Sequence, residues 1–353
     1  MSKQKQQKYQ VALLGTGRAG RFHIQSLQTT PALRLAYVID VDENRARDTA
    51  EENDCLWATG LEAALESSEI DAVIIASPTH AHYSQITQAL EAGKAVFTEK
   101  PLGTSLQEID DCFELAQARE RPLFVGFNRR FDPTFSSLAS SCHDGVVGTP
   151  HLIRLTSRDS PLPTLEYIRH SHGIFHDCIV HDLDMLRYIS REDPVEIYAV
   201  GSSFVEGIGA LNDYDNVLVS LRYGSGLLAS IDVNRYASYG YDQRIEVFGA
   251  HGMVQAENRA PTATVISDQE GITRPTIEYS FPTRYRDAYR IELEKFLKCL
   301  NPDNNFSPPV SHHDVRMSYI LSELGESSAR SGKPMRVDSH PGYRPAPETH
   351  ISA

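Results

Sequence analysis

A glycine triplet near the amino terminus constrains the fold of this chain more than any other feature. Gly15, Gly17 and Gly20 have GxGxxG spacing directly after the apolar run QVALLG, and the following FHIQSLQ has helical periodicity. A strand that turns through such glycines into a helix is typical of dinucleotide binding. The first glycine permits a tight turn, the second close approach of a pyrophosphate, and the third close packing of helix on strand.

Short apolar runs continue this pattern as far as Gly126. They are QVALLG, RLAYVID, AVIIAS, AVFTEK and LFVGF, and helix-like segments such as LEAALESS and YSQITQALEAG lie between them. Because the runs are almost continuously apolar, they suit strands buried on both faces of a parallel sheet. We therefore expect a Rossmann-type dinucleotide-binding domain over residues 1–127.

After about Asp132 the strand–helix alternation gives way to successive strands. These are HLIRLTSRD, VEIYAVGSSF, NVLVSLRY, GLLASIDVNRY and RIEVFG, with a Gly-Ser-Gly turn at 224–226 that favours a hairpin. Helices are expected near 180–190, 287–300 and 314–331. The predicted fold class is α/β, with a carboxy-terminal α+β domain over 128–338 that carries a large, mostly antiparallel open sheet. Residues 339–353 are expected to form a polar tail.

The composition of the chain disfavours some classes of binding partner and some cellular locations. The chain has 353 residues and a formal net charge of −13, without a basic stripe, which disfavours nucleic acid. Its five cysteines are scattered and form no CxxC pair, so we expect reduced thiols in a cytoplasmic protein. The first residues lack the apolar segment of a signal peptide, and no run is long enough to span a bilayer. Secretion and membrane insertion are therefore not expected.

Asp40 adds an independent feature to the glycine loop. It ends the second predicted strand twenty residues beyond Gly20, where an acid can accept hydrogen bonds from the adenosine ribose. The same carboxylate would repel a 2′-phosphate, which favours NAD over NADP, although the nearby Arg45 keeps NADP open. The competing interpretation is that the glycines only shape a turn and that Asp40 is a solvated loop acid.

The segments after the fourth and fifth runs, ASPTHAH and TEKPLG, would border the cofactor crevice, because open parallel sheets bind ligands beyond the carboxyl ends of their strands. Lys100 then places one ammonium at a strand end. A surface lysine is the ordinary alternative, and spacing alone does not choose between the two.

These motifs, with GFNRRFDP and the segment from Asp177 to His181 followed by DLDM, resemble the glucose-fructose oxidoreductase, inositol dehydrogenase and rhizopine-catabolism (Gfo/Idh/MocA) family of oxidoreductases. The resemblance extends to about Val337, and GFNRRFDP and YGYDQR are most similar to its inositol 2-dehydrogenase branch. It implies NAD-dependent oxidation of a cyclic polyol, with myo-inositol favoured, in a homo-oligomer (tetramer or dimer). Alternatives left open are scyllo-inositol, a pyranose or an anhydrosugar as substrate, and a non-catalytic NAD-binding sensor.

The resemblance implies that Lys100, Asp177 and His181 are catalytic. His181 suits the general base because imidazole titrates near neutrality; Lys100 would hydrogen-bond the reacting oxygen and stabilise a developing alkoxide. Asp177 would orient His181 or a neighbouring hydroxyl; on a helix its spacing of four puts both side chains on one face. Without the resemblance, the pair would read as an ordinary exposed helix pair. The implied cofactor-binding set is Gly15, Gly17, Arg18, Ala19, Gly20, Asp40, Ser77, Pro78, Thr79, His82, Glu99 and Lys100.

The resemblance implies further substrate contacts from Ser157, Asp159, Tyr239 and Tyr289, besides the catalytic three. The chain departs from close inositol dehydrogenases over residues 171–176, which bears on substrate identity. Arg129 and Arg130 fit either a ligand contact or a structural salt bridge. Four histidines lie close together in the sequence and offer imidazole ligands to zinc: His170, His172, His176 and His181. No HExxH motif or cysteine ligands accompany them, so no metal is expected.

Overall fold

The computed structural model describes residues 8–346, so the last seven residues of the predicted tail lie outside the described range. The chain divides into two compact units. The first contains the residues up to Phe131 together with Arg286–Arg316, and the second contains Asp132–Tyr285 and the residues from Met317 onward. The expected boundary after residue 127 lies close to the first of these transitions. The expected second domain also included residues 286–316, which pack within the first unit.

The first unit is built on a parallel sheet of six strands in the order β3-β2-β1-β4-β5-β6. Its strands are β1 Tyr9–Leu14, β2 Leu33–Ile39, β3 Leu56–Ala58, β4 Ala72–Ile75, β5 Ala95–Glu99 and β6 Leu123–Gly126. Helices α1 Arg18–Gln28, α2 Glu43–Asn53, α3 Glu62–Leu65, α4 Thr79–Glu91 and α5 Leu106–Ala118 connect them. This confirms the predicted Rossmann-type sheet. Strand β3 was not predicted, because this edge strand has only three residues and is too short to show periodicity.

Residues far along the chain complete the first unit. Helix α11 (Arg286–Leu300) packs on α1 and on the 3-10 turn Asn128–Phe131. Its Phe296 ring lies 5.7 Å from that of Phe97 and 5.9 Å from that of Phe124, both in edge-to-face contact. All three rings are fully buried, and each contributes about 1.5–3 kcal/mol through removal from water. The helix was predicted at 287–300, but its partner sheet was not.

A seven-stranded sheet in the order β12-β11-β7-β10-β9-β8-β15 forms the second unit. Its strands are β7 Pro150–Arg158, β8 Pro194–Ser202, β9 Asn216–Tyr223, β10 Leu228–Asn234, β11 Asp242–Gly249, β12 Gly252–Ala256 and β15 Met335–Arg336; β13 Ile266–Asp268 and β14 Gly271–Thr273 form a separate hairpin. Only β7 and β10 pair in parallel, so the sheet is mostly antiparallel, as predicted.

Helices cover one face of this second sheet. The remaining helices are α6 Pro133–His143, α7 Leu165–His170, the π-helix Phe175–Ile179, α8 Val180–Ser190, α9 Glu206–Gly209, α10 Phe281–Arg284 and α12 His312–Ser331, which begins in the first unit and continues in the second. Along β7 the side chains of Ile153, Leu155 and Ser157 face this layer, and the intervening residues face the other side. This alternation gives the sheet an inner face under the helices and an outer face.

Two further observations concern the whole described chain. Within residues 8–346, no helix combines the length and the apolar character needed to cross a membrane. All five cysteines are free thiols, which agrees with their scattered positions in the sequence.

Candidate dinucleotide-binding and catalytic site

The glycine loop has three different steric environments. Gly15 has a φ of 88°, and a β-carbon there would lie 2.7 Å from the carbonyl oxygen of Ala76. At Gly20 it would lie 2.0 Å from the carbonyl oxygen of Gly15, so both positions exclude a side chain. At Gly17 no described atom lies within 4 Å of that position. The open side of Gly17 is where a ligand can approach the backbone.

Helix α1 begins at Arg18, so its first backbone amides, including that of Ala19, belong to this loop. No acidic side chain occupies the first turn. The partial positive charge of the helix amino terminus is therefore available to an anion such as a pyrophosphate. The geometry of the glycine loop, the open space beside Gly17 and the amino terminus of α1 therefore fit the dinucleotide that the sequence predicts.

Asp40 is a buried carboxylate with four protein donors. Its Oδ2 accepts from Thr16 N at 2.9 Å and Thr16 Oγ1 at 2.7 Å, while Oδ1 accepts from Asp42 N at 3.0 Å and Arg45 Nη2 at 3.1 Å. Burial by itself raises the pKa of Asp40, but the backbone bonds from Asp42 and Thr16, the Thr16 hydroxyl and Arg45 together lower it. The group is thus held as an anion at the end of β2.

A carboxylate offers about four acceptor sites, so ribose hydroxyls must displace a donor to bind Asp40. Thr16 N and Asp42 N are fixed by the backbone. Arg45 is the donor most easily displaced, because its side chain is 52% exposed. Cofactor binding at Asp40 is therefore expected to free the Arg45 guanidinium beside the ribose.

The ASPTHAH segment joins β4 to α4. Pro78 is the N-cap residue of α4, Thr79 begins the helix, and Ser77 Oγ donates to Gln85 Oε1 at 2.6 Å. His82 is 1% exposed, and its ring nitrogens lie 2.7 Å from the Pro101 carbonyl oxygen and 2.9 Å from that of Ser77. Burial lowers the pKa of His82 despite these two carbonyl groups. His82 thus ties together the loops after β4 and β5.

Lys100 follows the last residue of β5 and is partly buried. Beside it, Glu99 Oε1 lies 2.8 Å from His23 Nε2, and a carboxyl oxygen of Glu292 lies within 4.8 Å of both partners. Glu292 is fully buried, and neither of its oxygens has a hydrogen-bond partner within the described residues. Burial and then the negative charge of Glu99 raise the pKa of Glu292 well above its usual range.

Sequence reasoning missed His23 and Glu292 because they are 269 positions apart in the printed numbering and meet only when α11 packs on α1. Together with Glu99, His23 and Glu292 form a cluster. Within residues 8–346, this is the group whose ligand atoms lie close enough to one another to hold a metal ion. The histidines at 170, 172, 176 and 181 form no comparable group in that range. The protonated, neutral form of Glu292 explains how this side chain can be fully buried, because protonation removes the charge that burial penalises.

In the second unit, Asp177 lies on the π-helix and His181 on the first turn of α8. The expected regular helix therefore changes type between them. Single π-turns occur frequently at functional sites. The carboxylate of Asp177 accepts from Tyr167 Oη at 2.9 Å and from Arg235 Nη1 at 3.0 Å. Neither partner was predicted: Tyr167 lies ten positions earlier on α7, and Arg235 lies 58 positions later, after β10.

The remaining predicted substrate residues of this unit lie at one end of its sheet, where β7 and β10 finish and β11 begins. Ser157 is on the inner face, and its Oγ donates to Gln243 Oε1 at 3.2 Å. Asp159 follows β7 and accepts from Ser160 N at 2.7 Å. Tyr239 is on the outer-face side, where it donates to Asp242 at 2.6 Å and accepts from Arg158 at 3.1 Å. Ser157 and Tyr239 thus engage partners on opposite faces.

Tyr289 belongs to the first unit, not to the second domain in which the sequence analysis placed it. It is 7% exposed on α11, with ring centroids 5.9 Å from Phe22 and 5.7 Å from His23. Arg130 donates to Asp314 Oδ2 and to the Pro309 carbonyl, each at 3.2 Å. For Arg130, this favours the structural salt bridge over the ligand contact.

The predicted residues thus form two groups. The cofactor set and Lys100 lie in the first unit with Tyr289, and the second unit holds Asp177 and His181 with Ser157, Asp159 and Tyr239. Each group is ordered by its own hydrogen bonds. Joint action of Lys100 with Asp177 and His181 stays a prediction.

Comparisons with known proteins agree with both halves of this description. Residues 9–127 match a family model described as oxidoreductase family, NAD-binding Rossmann fold, and residues 135–255 match the GFO/IDH/MocA C-terminal domain. The chain is 38% identical over 336 residues to a myo-inositol 2-dehydrogenase of Thermotoga maritima, covering 93% of this chain and 98% of the relative. It is 33% identical over 338 residues to a scyllo-inositol 2-dehydrogenase (NAD(+)) of Bacillus subtilis, covering 94% and 97%.

A solved structure gives the same picture in three dimensions. The crystal structure of a probable dehydrogenase from Thermotoga maritima superposes with a TM-score of 0.90 at 37% identity, covering 93% of this chain and 99% of that one. The similarity therefore extends over both units and is not limited to the dinucleotide-binding part.

Proposed function

Because the chain belongs to the GFO/IDH/MocA family of NAD-binding oxidoreductases, we propose that it oxidises one ring hydroxyl of a cyclic polyol, with myo-inositol as substrate and 2-keto-myo-inositol (scyllo-inosose) as product. The observation that carries this substrate is the 38% identity to a myo-inositol 2-dehydrogenase over 93% of the chain. NAD supplies the hydride acceptor of this reaction.

Each of the three proposed catalytic side chains has its own role in this reaction. His181 removes the hydroxyl proton as general base, Lys100 hydrogen-bonds the reacting oxygen, and Asp177 orients the imidazole and favours its protonated form. The glycine loop and the first turn of α1 would hold the pyrophosphate of NAD, and Asp40 would accept hydrogen bonds from its ribose. Ser157, Asp159, Tyr239 and Tyr289 are proposed to contact the remaining hydroxyls.

Two alternatives define the test. The similarity to a scyllo-inositol 2-dehydrogenase favours the same chemistry on another cyclitol, and a pyranose or anhydrosugar is the wider form of that alternative. A panel of cyclitols, pyranoses and levoglucosan is assayed with NAD or NADP by absorbance of the reduced cofactor. Turnover of myo-inositol above the other substrates supports the proposal. Absence of signal with every inositol rejects it, and NADH binding without turnover of any substrate indicates a sensor.

The outer face of the second sheet supports self-association. Large apolar side chains on five of its strands are between 38% and 55% exposed. They are Tyr198, Val200, Leu218, Leu228, Phe248 and Met253. In the strand register, Leu228, Phe248 and Met253 lie in one row across Leu152. An exposed apolar row of this kind is typical of an interface, and we propose that a second copy of the chain covers it, in a dimer or tetramer. Light scattering of wild type and of Leu218→Lys tests this, and an unchanged mass would contradict it.

We also propose that the protein works in the cytoplasm. Its five free cysteines support this, because thiols persist in reducing compartments. Fractionation of cells that express the tagged chain tests the assignment, and recovery outside the cytoplasm would overturn it.

A further inference from the structure

Arg235 is a fully buried cation next to a proposed catalytic acid. It directly follows β10, and its side chain is 0% exposed. Its Nη1 donates to Asp177 Oδ2 at 3.0 Å, and its Nη2 donates to Asp213 Oδ2 at 3.1 Å. The thiol of Cys178 lies 3.6 Å from the same Nη1. One planar guanidinium thus joins two carboxylates from different segments.

Asp213 connects this cation to the backbone that carries Asp177. Its Oδ1 accepts from the amide of Ile174 at 3.1 Å, immediately before the π-helix. At Gly173, with a φ of 80°, a β-carbon would lie 3.4 Å from Asp213 Oδ1. Arg235 therefore fixes the side chain of Asp177 directly, and the start of its helix through Asp213.

The charges in this group favour a permanent cation. Burial lowers the pKa of Arg235, but its electrostatic interactions with Cys178, Asp177 and Asp213 and its hydrogen bond to Asp177 outweigh burial and raise it. A buried guanidinium without partners would cost several kcal/mol, and the hydrogen bonds to the two carboxyl groups offset that cost for Arg235. Titratable groups that contact Asp177 include the Tyr167 hydroxyl from α7 and the Cys178 thiol, and His181 follows four residues later on α8.

We propose that Arg235 is a positioning residue, which holds Asp177 in one orientation and sets the electrostatic field of the Asp177–His181 pair, with Asp213 as its second anchor. This proposal rests on the proposed function. It assigns Arg235 no contact with substrate; its effect passes through Asp177. Two interacting titratable groups respond together, so loss of a nearby cation raises the apparent pKa of the pair, and loss of a nearby anion lowers it.

Three variants test the sign of this effect. Arg235→Met removes the cation, Arg235→Lys keeps the charge with fewer hydrogen bonds, and Asp213→Asn removes an anion while leaving an oxygen for Ile174 N. Arg187→Met is the matched control, because it deletes another buried guanidinium, paired with Asp193 at 2.6 Å, in the same unit. A merely structural role predicts that both arginine-to-methionine variants lose stability without a change in titration.

The primary measurement is an NMR titration of the His181 Cε1–H resonance, assigned by its loss in His181→Asn. We expect the His181 titration to move to higher pH in Arg235→Met, to lower pH in Asp213→Asn, and to stay unchanged in Arg187→Met. Shifts of the same sign in the first two variants, or no shift in either, overturn the proposal. If Arg235→Met does not fold, the Asp213→Asn and Arg235→Lys titrations still decide the matter.

Kinetics with myo-inositol and NAD provide the second readout. Arg235→Met should lower kcat about 100-fold, at the lower end of what loss of general-base catalysis costs, with Kd for NADH unchanged and the acidic limb of the pH profile moved to higher pH. Arg235→Lys should restore part of kcat. Unchanged kcat and pH profile in folded Arg235→Met contradict the inference. If the wild type oxidises no cyclitol, the proposed function fails, while the His181 titration still reports on Arg235 alone.

Discussion

Arg45 Nη2 lies 3.1 Å from Asp40 Oδ1, so an exposed cation already pairs with the carboxylate assigned to the adenosine ribose. We therefore expect the preference for NAD or NADP to depend on both side chains. We expect Asp40 to repel a 2′-phosphate by its charge, and we expect Arg45 to pair with that phosphate once it leaves Asp40.

Asp40→Ser should therefore convert the preference. A hydrogen bond to a charged group contributes about 1.5–3 kcal/mol, so kcat/KM with NAD should fall roughly 10- to 100-fold, while activity with NADP rises. Adding Arg45→Gln should abolish the gain with NADP. Glu43→Gln, in the exposed first turn of α2, is the control and should leave the ratio unchanged. Rates with both cofactors at fixed polyol concentration provide the test; NADP activity that persists without Arg45 would contradict it.

The glycine loop predicts opposite outcomes for two alanine variants. Gly17→Ala meets no protein atom, so its melting temperature should match that of wild type, but its methyl group should weaken NADH binding about tenfold or more. Gly20→Ala forces a contact with the Gly15 carbonyl oxygen and should lower the melting temperature by several degrees. Calorimetry and NADH fluorescence titration measure the two effects. Equal destabilisation of both variants would show that Gly17 is structural.

Because Glu292 is buried, we expect the free energy of unfolding to fall as pH rises. Since its folded-state pKa is raised, the folded chain keeps a proton that the unfolded chain loses above about pH 4.3. Between these two pKa values the free energy of unfolding declines with pH, by up to about 1.4 kcal/mol per pH unit from this group.

Glu292→Gln, which resembles the neutral acid in shape, should remove this part of the pH dependence. Glu294→Gln is the control, because Glu294 is exposed on the same helix and pairs with Arg290. Urea unfolding of the three proteins from pH 5 to pH 9 provides the comparison. If wild type and Glu292→Gln respond to pH in parallel, Glu292 is ionised in the folded protein. Metal content measured on the purified protein checks whether the cluster with His23 and Glu99 holds a cation instead.

The proposed catalytic roles of Lys100 and His181 predict that substitution of either residue lowers turnover. Lys100→Met and His181→Ala should each lower kcat at least about 100-fold, because they remove stabilisation of the alkoxide and the general base. NADH affinity should fall less for His181→Ala than for Lys100→Met, since only Lys100 was assigned to the cofactor set. Unchanged turnover in either variant would refute its assigned role.

Local signals account for what the sequence could predict. Gly15, Gly17, Gly20 and Asp40 lie within a continuous strand–turn–helix–strand unit, so their relation follows from spacing and from the parallel pairing of β1 with β2. The long helices and most strands were recoverable because each has its own periodicity. β3 was not, because its three residues are too few for a period.

Relations between distant segments could not be predicted in this way. Asp177 and Arg235 are separated by 58 positions and meet because β10 ends beside the π-helix segment. Glu292 reaches Glu99 only when α11 packs on the first unit. Nothing in the spacing of either pair indicates contact, since side-chain partners across a sheet end depend on strand order. That order, with β10 between β7 and β9, has no local signature.

The return of residues 286–316 to the first unit has a consequence for synthesis on the ribosome. An amino-terminal domain ordinarily folds as soon as its own residues emerge. Here the segment that buries Phe97 and Phe124 emerges only after the strands β7 to β14 have been translated. The nascent nucleotide-binding unit therefore cannot complete its folding until most of the polypeptide has been synthesised, and part of its apolar surface stays uncovered until then.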